Sequence, residues 1–270
     1  MSPTRRTVLG GIGAAGVLTL GGVAPAVARD DDGGEAALRV AHASPDAPNV
    51  DVYVDGSKVL SDVPFRAVSD YLEVPADSYR VTVTAAGDPD AVVFDGELTL
   101  DSEDYTVAAI GELSEGTFRP LVLEDNNGVV FGDSARVRLV HASPDAPAVD
   151  VTVAGTDITL FDGVAFRESG GYVEVPAGDY TLEVRPATED DDGPVVASFD
   201  VSLESGDVYT AFAEGYLSPG DEPAGEPFGL VVSLDRSAPP RGDGEEDAEE
   251  DDTDEGDEES ERRAGRVRGD

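Results

Sequence analysis

The chain contains one segment twice, and this internal repeat limits the possible folds more than any other feature. The sequence LRVAHASPDAP at 38–48 recurs as VRLVHASPDAP at 137–147, and YLEVPA at 71–76 recurs as YVEVPA at 172–177. Length differences between the copies fall between such blocks, where loops are expected. A copy of roughly 100 residues has the size of an ordinary domain. The sequence therefore predicts two domains with one fold.

Alternation of side chains predicts that each copy is built from strands. Valines at 50, 52 and 54 alternate with Asp51, Tyr53 and Asp55, and the same two-residue period runs through 180–185 in the second copy. Such a period gives each strand one apolar face and one wet face, as in antiparallel sheets covered on a single side. Turn signals such as Asp-Gly and Pro-Ala-Gly recur at short intervals, and no helical period is sustained. We expect an all-β protein of two tandem antiparallel β-sandwiches, immunoglobulin-like or transthyretin-like, with about seven or eight strands each.

Composition places the boundaries of these domains. The first sandwich is predicted at 36–125 and the second at 134–235, with Asn-Asn-Gly at 126–128 as a short turn between them. From 238 to 270 acidic residues dominate and no apolar residue is larger than valine. Because such a segment cannot bury a core, the sequence predicts a disordered acidic tail.

The charge balance points to a salty environment. The chain has 58 acidic and 18 basic residues, a net charge of −40, and Lys58 is its single lysine. The acids are spread over both copies, and their repulsion is screened in molar salt, where the Debye length falls to about 3 Å. We therefore expect a halophilic source. Nucleic-acid binding is excluded as a function, because phosphate contacts need clustered Lys and Arg.

The N-terminus has the pattern of an export signal. Arg5-Arg6 is followed by a weakly hydrophobic stretch at 10–27, and Ala-Val-Ala at 26–28 forms a cleavage signal. The sequence predicts a twin-arginine signal peptide at 1–28, cleaved between Ala28 and Arg29, and hence a secreted protein. Six glycines and Pro25 dilute the stretch below the ~20 apolar residues of a spanning helix, so no permanent membrane anchor is expected. A haloarchaeal source is what the resemblance of the N-terminus to twin-arginine signals, used heavily by salt-loving archaea, implies.

No cofactor is predicted. The segment 11–16 matches G-x-G-x-x-G letter for letter. A dinucleotide site, however, needs a preceding strand and an acidic residue some 20 positions later within a βαβ unit, whereas these glycines follow a twin-arginine pair at the N-terminus.

The repeated block supplies the only grouping of His, Ser and Asp in the sequence. In the second copy its members are His141, Ser143 and Asp145, and in the first they are His42, Ser44 and Asp46. A catalytic triad draws its members from distant segments and places His between Ser and Asp. Here all three lie within five residues on a strand that enters a Pro-rich turn, where Asp46 suits an Asx-type bond to its own backbone. We expect a structural role and no catalytic residue.

Metal binding is the second alternative for the same block. His42 with Asp46 or Asp51, and the equivalent residues of the second copy, offer nitrogen and oxygen ligands, and the loop at 190–192 offers three aspartates to Ca²⁺. A hard cation needs six or more converging oxygens, and no EF-hand or His-x-x-x-His pattern is present. No metal site is predicted.

Tyrosines raise a third possibility, a stacking surface for glycans. Six of the eight are matched between the copies, which favours shared core positions. Tyr53 and Tyr216 are unmatched and are therefore predicted to be freer to serve a surface.

The His-Ala-Ser-Pro-Asp-Ala-Pro block, the Val-Pro-Ala-x-x-Tyr block and their tandem arrangement resemble the family known as domain of unknown function 4397. The resemblance covers nearly all of 36–235. It implies a secreted bacterial or archaeal β-sandwich protein and brings no established activity. The Val-Pro-Ala-Gly-x-Tyr turn is also similar to transthyretin-like and carboxypeptidase-regulatory sandwiches, which are mostly non-catalytic accessory modules.

Together these features favour a secreted, non-catalytic binding or structural module. Its expected partner is a cell-envelope polymer or a surface protein, and the sequence leaves the oligomeric state open. The alternative is an extracellular hydrolase or a metal-binding protein that uses the His-Ala-Ser-Pro-Asp motifs.

Overall fold

The computed structural model describes residues 34–236, and these fold into strands joined by turns, without a helix. The first copy contains β1 (Glu35–His42), β2 (Val50–Val54), β3 (Ser57–Val63), β4 (Leu72–Pro75), β5 (Ser78–Ala85), β6 (Val92–Thr99), β7 (Asp104–Ile110) and β8 (Arg119–Asp125). The second copy contains β9 (Ser134–His141), β10 (Val149–Val153), β11 (Thr159–Val164), β12 (Ser169–Pro176), β13 (Gly178–Pro186), β14 (Ala197–Leu203), β15 (Val208–Glu214) and β16 (Gly229–Arg236). The predicted all-β fold with two sandwiches is confirmed. The predicted signal peptide at 1–28, with its cleavage site, and the predicted tail at 238–270 lie outside the described residues.

Each copy forms two four-stranded sheets, which we name outer and inner. The outer sheets have the orders β3-β2-β5-β6 and β11-β10-β13-β14, and the inner sheets have the orders β4-β1-β7-β8 and β12-β9-β15-β16. One pairing in each inner sheet departs from the expected antiparallel pattern, because β1 runs parallel to β7 and β9 runs parallel to β15. The long connection through the outer sheet makes this possible, since parallel neighbours need a crossover and not a hairpin.

Each sandwich has an apolar interior between its inner and outer sheets. In the second copy this interior is one continuous cluster that extends from Val137 through Val151 and Phe161 to Tyr209. In the first copy it is divided into two clusters, one around Val50 and Val52 and the other around Leu38 and Tyr105.

A further apolar cluster joins the two copies. Ala41, Ala108 and Ile110 of the first inner sheet pack with Val140 and Phe212 of the second. The inner sheets are therefore covered on both faces, and every residue of β15 is buried. The predicted wet face is present on edge strands such as β14, where intermediate and exposed residues alternate, but not on central strands such as β10 and β15, which are buried throughout.

Two arginines reach across the boundary between the copies. Arg39 of β1 donates from Nη2 to Asp235 Oδ1 of β16 at 2.6 Å, and Arg138 of β9 donates from Nη2 to Asp125 Oδ1 of β8 at 2.5 Å. All four side chains are at most 2% exposed. Because the arginines occupy equivalent positions, the two ion pairs form an approximately twofold arrangement in which each copy supplies the partner of the other.

Hydroxyl groups complete this buried network. Asp125 also accepts hydrogen bonds from Thr106 Oγ1 and from the Tyr71 hydroxyl, both at 2.6 Å, and Thr106 Oγ1 itself accepts one from Arg39 Nε at 2.8 Å. The corresponding donors at Asp235 are Thr210 and Tyr172. Burial disfavours the charged guanidinium of Arg39, but Asp235, Tyr71 and Asp125 outweigh it and raise its pKa. Burial raises the pKa of Asp235, and the Arg39 charge and the Thr210 hydrogen bond oppose this effect. The polar groups of the network are therefore paired with one another.

The ion pairs provide a first test of this arrangement. Arg39→Met leaves a buried carboxylate without its cation and should lower the free energy of unfolding by about 3–5 kcal/mol. Adding Asp235→Asn removes that charge, so the double variant should lose much less than the sum of the single variants. Urea unfolding of the full chain in molar salt gives the three values. The control is Arg80→Met, whose ion pair with Asp95 is exposed and should matter little. If the losses of unfolding free energy in the two single variants add up to that of the double variant, Arg39 and Asp235 are not coupled.

Candidate functional site

The two histidines of the repeated motif are held by backbone groups. His42 ends β1 and His141 ends β9, and both are almost fully buried. The Ser44 amide donates to His42 Nδ1 at 3.4 Å, which leaves the proton on Nε2, 3.0 Å from the carbonyl oxygen of Pro48. His141 has the same contacts, with the Ser143 amide at 3.3 Å and Pro147 O at 2.9 Å. Burial lowers the pKa of both imidazoles, which keeps them neutral.

The two serines are not bonded to these imidazoles through their hydroxyls. Ser44 Oγ donates to Gly111 O at 2.6 Å, and Ser143 Oγ donates to Asp145 Oδ1 at 3.2 Å. An activated nucleophile needs its hydroxyl proton directed at a general base. The described geometry contains no such pair within either motif.

Each of the two aspartates of the motif binds a loop that is distant in sequence. Asp46 accepts hydrogen bonds from the amides of Leu113 and Ser114, both at 2.9 Å, in the loop after β7. Asp145 binds the equivalent loop after β15 through two amides at 2.8 Å. The expected Asx-type bond of Asp46 to its own turn is thus replaced by a bond across to another segment. The motif ties the end of the first inner strand to the loop that leaves the neighbouring strand.

The structure brings together only some of the residues that the sequence offers as metal ligands. Both ring nitrogens of each histidine face backbone groups, whereas Asp191 of the acidic loop does approach other carboxylates. Oxygens of Asp150, Asp162 and Asp191 lie within 4.8 Å of one another. In the first copy the equivalent of Asp150 is Asp51, which accepts a hydrogen bond from Lys58 Nζ at 2.6 Å. Three carboxylates are fewer than the ligand set of a calcium site.

A second pair of arginines lies next to the motifs. Arg66 and Arg167 adopt left-handed backbone conformations, with φ of 72° and 70°. The Arg66 guanidinium donates to the carbonyl oxygen of Pro227 in the second copy, and that of Arg167 donates to the carbonyl oxygen of Thr117 in the first. The dipeptide Phe-Arg occurs at 65–66 and again at 166–167, but the sequence does not indicate that these arginines contact the other copy.

Glu214 is a buried acid at this boundary. Its Oε1 has no hydrogen-bond partner and lies 3.6 Å from Arg66 Nε. Burial raises the pKa of Glu214 to about 8, and the Arg66 charge only partly opposes this effect. The strand registers place Ile110 at the equivalent position of the first copy.

Tyr216 differs from its prediction as a surface residue. It is fully buried, and its hydroxyl donates to Glu112 Oε1 of the other copy at 2.9 Å. Sequence matching missed this role because the partner lies in a loop of the first copy.

The fold and these contacts define a tandem β-sandwich protein in which two related domains share a buried polar boundary. Comparison with known families assigns it further. The family model described as domain of unknown function (DUF4397) matches residues 36–152 and 135–245. The chain belongs to this family and contains two copies of its domain. None of the described residues forms a helix long and apolar enough to cross a membrane.

No curated protein sequence matches the chain. Among solved structures, it is similar to the C-terminal domain of AlgF from P. aeruginosa, with 14% identity, a TM-score of 0.26, and coverage of 38% of this chain and 99% of that one. It is also similar to CBMbc, of family CBM26, from Eubacterium rectale Amy13K in complex with maltoheptaose, with 10% identity, a TM-score of 0.22, and coverage of 76% and 98%. These scores are too low to support a statement about the ligand.

Glu214 should make stability depend on pH. The folded protein keeps its proton up to about pH 8, whereas the unfolded chain releases it near the ordinary pKa of 4.5. Between these values the folded state binds more protons, so the free energy of unfolding should fall as pH rises. In Glu214→Gln the part of this fall that is due to the buried carboxyl should disappear. Urea unfolding at several pH values between 4.5 and about 8 measures the change.

The pKa values of the two histidines are lowered, so below their ordinary pKa they make the free energy of unfolding rise with pH. Both proteins contain them, and their contribution cancels when wild type and Glu214→Gln are compared. The exposed Glu115 supplies the matched control, because Glu115→Gln should keep the wild-type profile. Parallel profiles for wild type and Glu214→Gln would show that the buried carboxyl does not govern this dependence.

Proposed function

We propose that the protein is a secreted, non-catalytic binding or structural module that acts at the cell surface. The main support is the use made of the repeated motif. Its histidines, serines and aspartates direct their polar groups at backbone or at one another. The residues best suited to acid, base or nucleophilic chemistry therefore hold loops in place. A polar group already committed in this way is a poor candidate for acid, base or nucleophile.

Export in a folded state fits the shared boundary of the two copies. Each copy contributes the counter-ion of an arginine in the other, so neither inner sheet is complete without its neighbour. The twin-arginine pattern at Arg5 and Arg6 is typical of a pathway that exports folded proteins. The acidic composition supports action in molar salt. Together with the twin-arginine pattern it fits a haloarchaeal source.

The connection between the copies offers a contact for a surface partner. Phe131 is 82% exposed and Val129 is 50% exposed in the segment between β8 and β9. An exposed aromatic side chain beside an aliphatic one is a suitable anchor for a polymer or protein. We assign the partner as a cell-envelope polymer or a surface protein.

Retention on isolated cell envelopes in molar salt tests this function. The full chain should be retained, and Phe131→Ser should reduce retention several-fold because it removes the aromatic anchor. Val92→Ser is the control, since Val92 is an exposed apolar residue, 50% accessible, on β6 and not in the connection. A wild-type protein that passes through without retention would count against the proposal.

Catalytic activity would contradict the proposal that the protein is non-catalytic. The measurement is hydrolysis of ester, peptide and glycan substrates by the full chain and by His42→Ala and His141→Ala. Activity that is lost in a variant that still unfolds cooperatively would identify a hydrolase.

Export has its own test. Replacing Arg5 and Arg6 together by lysine should abolish appearance of the protein outside the cell, because the twin-arginine pathway recognises the pair. Fractionation of cells and medium measures the outcome. Normal secretion of the double-lysine variant would exclude this pathway.

A further inference from the structure

The sandwich of the first copy contains an internal cavity of about 90 Å³. It lies between the inner and outer sheets, and its walls are almost entirely aliphatic and aromatic side chains. Ser69 and Asp70, in the connection from β3 to β4, also line it. Ser69 is buried, and Asp70 is exposed at the surface.

Central strands of the first copy show the effect of this space. Val40 on β1 and Val107 on β7 line the cavity and are only partly buried, although their strands are neighbours in the middle of the inner sheet. Their equivalents in the second copy, Leu139 and Ala211, are 1% and 3% exposed. The same positions are therefore sealed in one copy and accessible in the other.

Side-chain size accounts for much of the difference. Leu60 and Val81 line the cavity, and the strand registers place Phe161 and Leu182 at the equivalent positions of the second copy. These larger side chains belong to the continuous interior of the second sandwich, whereas the interior of the first is divided.

A glycine permits the larger ring in the second copy. A Cβ atom on Gly170 would lie 2.6 Å from Phe161 Cδ1, so the ring packs directly against the glycine backbone. The first copy has Ser69 at that position together with the smaller Leu60. The Leu60–Ser69 combination keeps the space open.

We propose that this cavity binds a small uncharged apolar group, such as the end of one alkyl chain. Apolar cavities exclude water, and a cavity of about 150 Å³ lined by aliphatic and aromatic side chains accepts benzene or xenon. The space here is smaller, which limits it to a xenon-sized ligand or a few carbons. The exposed Asp70 carboxylate in the lining disfavours an anionic head group. This ligand site is independent of the surface partner proposed above.

Xenon and n-alkanols are the probes for the full chain, with methyl chemical shifts of Leu and Val as the readout. Xenon should cause saturable shifts at Leu60, Val81 and their neighbours. Alkanol affinity should rise about fourfold per added methylene and then level off once the cavity is full. Hexanoate should bind more weakly than hexanol. The absence of saturable shifts would overturn the site, and equal binding of hexanoate would overturn the uncharged ligand.

Two filling variants test the location. Leu60→Phe with Ser69→Gly transfers the residue pair of the second copy, and Val81→Leu adds a smaller volume if the first variant folds poorly. Both should weaken xenon and hexanol binding at least tenfold. Val92→Leu makes the same type of change at an exposed site and should bind as wild type does. Wild-type affinity in a folded filling variant would refute the cavity as the binding site.

Discussion

The exchanged ion pairs between the copies are the constraint on which the rest of the structure depends. An arginine removed from water is tolerated only where a carboxylate and further acceptors replace its hydration. The acid that meets Arg39 lies on the last strand of the other copy, so burying Arg39 requires both copies to be folded and in contact. Small residues such as Ala41 and Ala108 beside it allow the close approach that this contact needs.

The repeated motif and this boundary belong to one arrangement. Asp46 holds the amides of Leu113 and Ser114, and Glu112, immediately before them, accepts the Tyr216 hydroxyl of the other copy. The motif thus positions a loop that forms part of the boundary. This explains in physical terms why the histidines and serines of the motif are buried in both copies and its aspartates are partly buried.

The sequence allowed prediction of the strands, the tandem sandwiches and the family, because these follow from local alternation and internal matching. The pairing of the copies was not predictable in this way. Arg39 between Leu38 and Val40 has the pattern of an exposed position on a half-buried strand, and its partner Asp235 is 196 residues away. Alternation of side chains indicates that one face of a strand is polar. It does not indicate whether that face contacts water or a counter-ion from a distant part of the chain.

The boundary between the copies is nearly symmetric. Because each copy offers an arginine and an acceptor aspartate, the ion pairs alone would allow a copy to pair with a copy from another chain. The connection at 126–133 is short, which gives the neighbouring copy of the same chain a high effective concentration. Arg136 further restrains this connection through Asn126 and Gly128. The unequal pair Ile110 and Glu214 makes like-with-like pairing different in energy from the native contact, because a contact between two second copies would bury two such acids, whereas the native contact buries one. Pairing within the chain therefore follows from the short connection and from the few positions at which the copies have diverged.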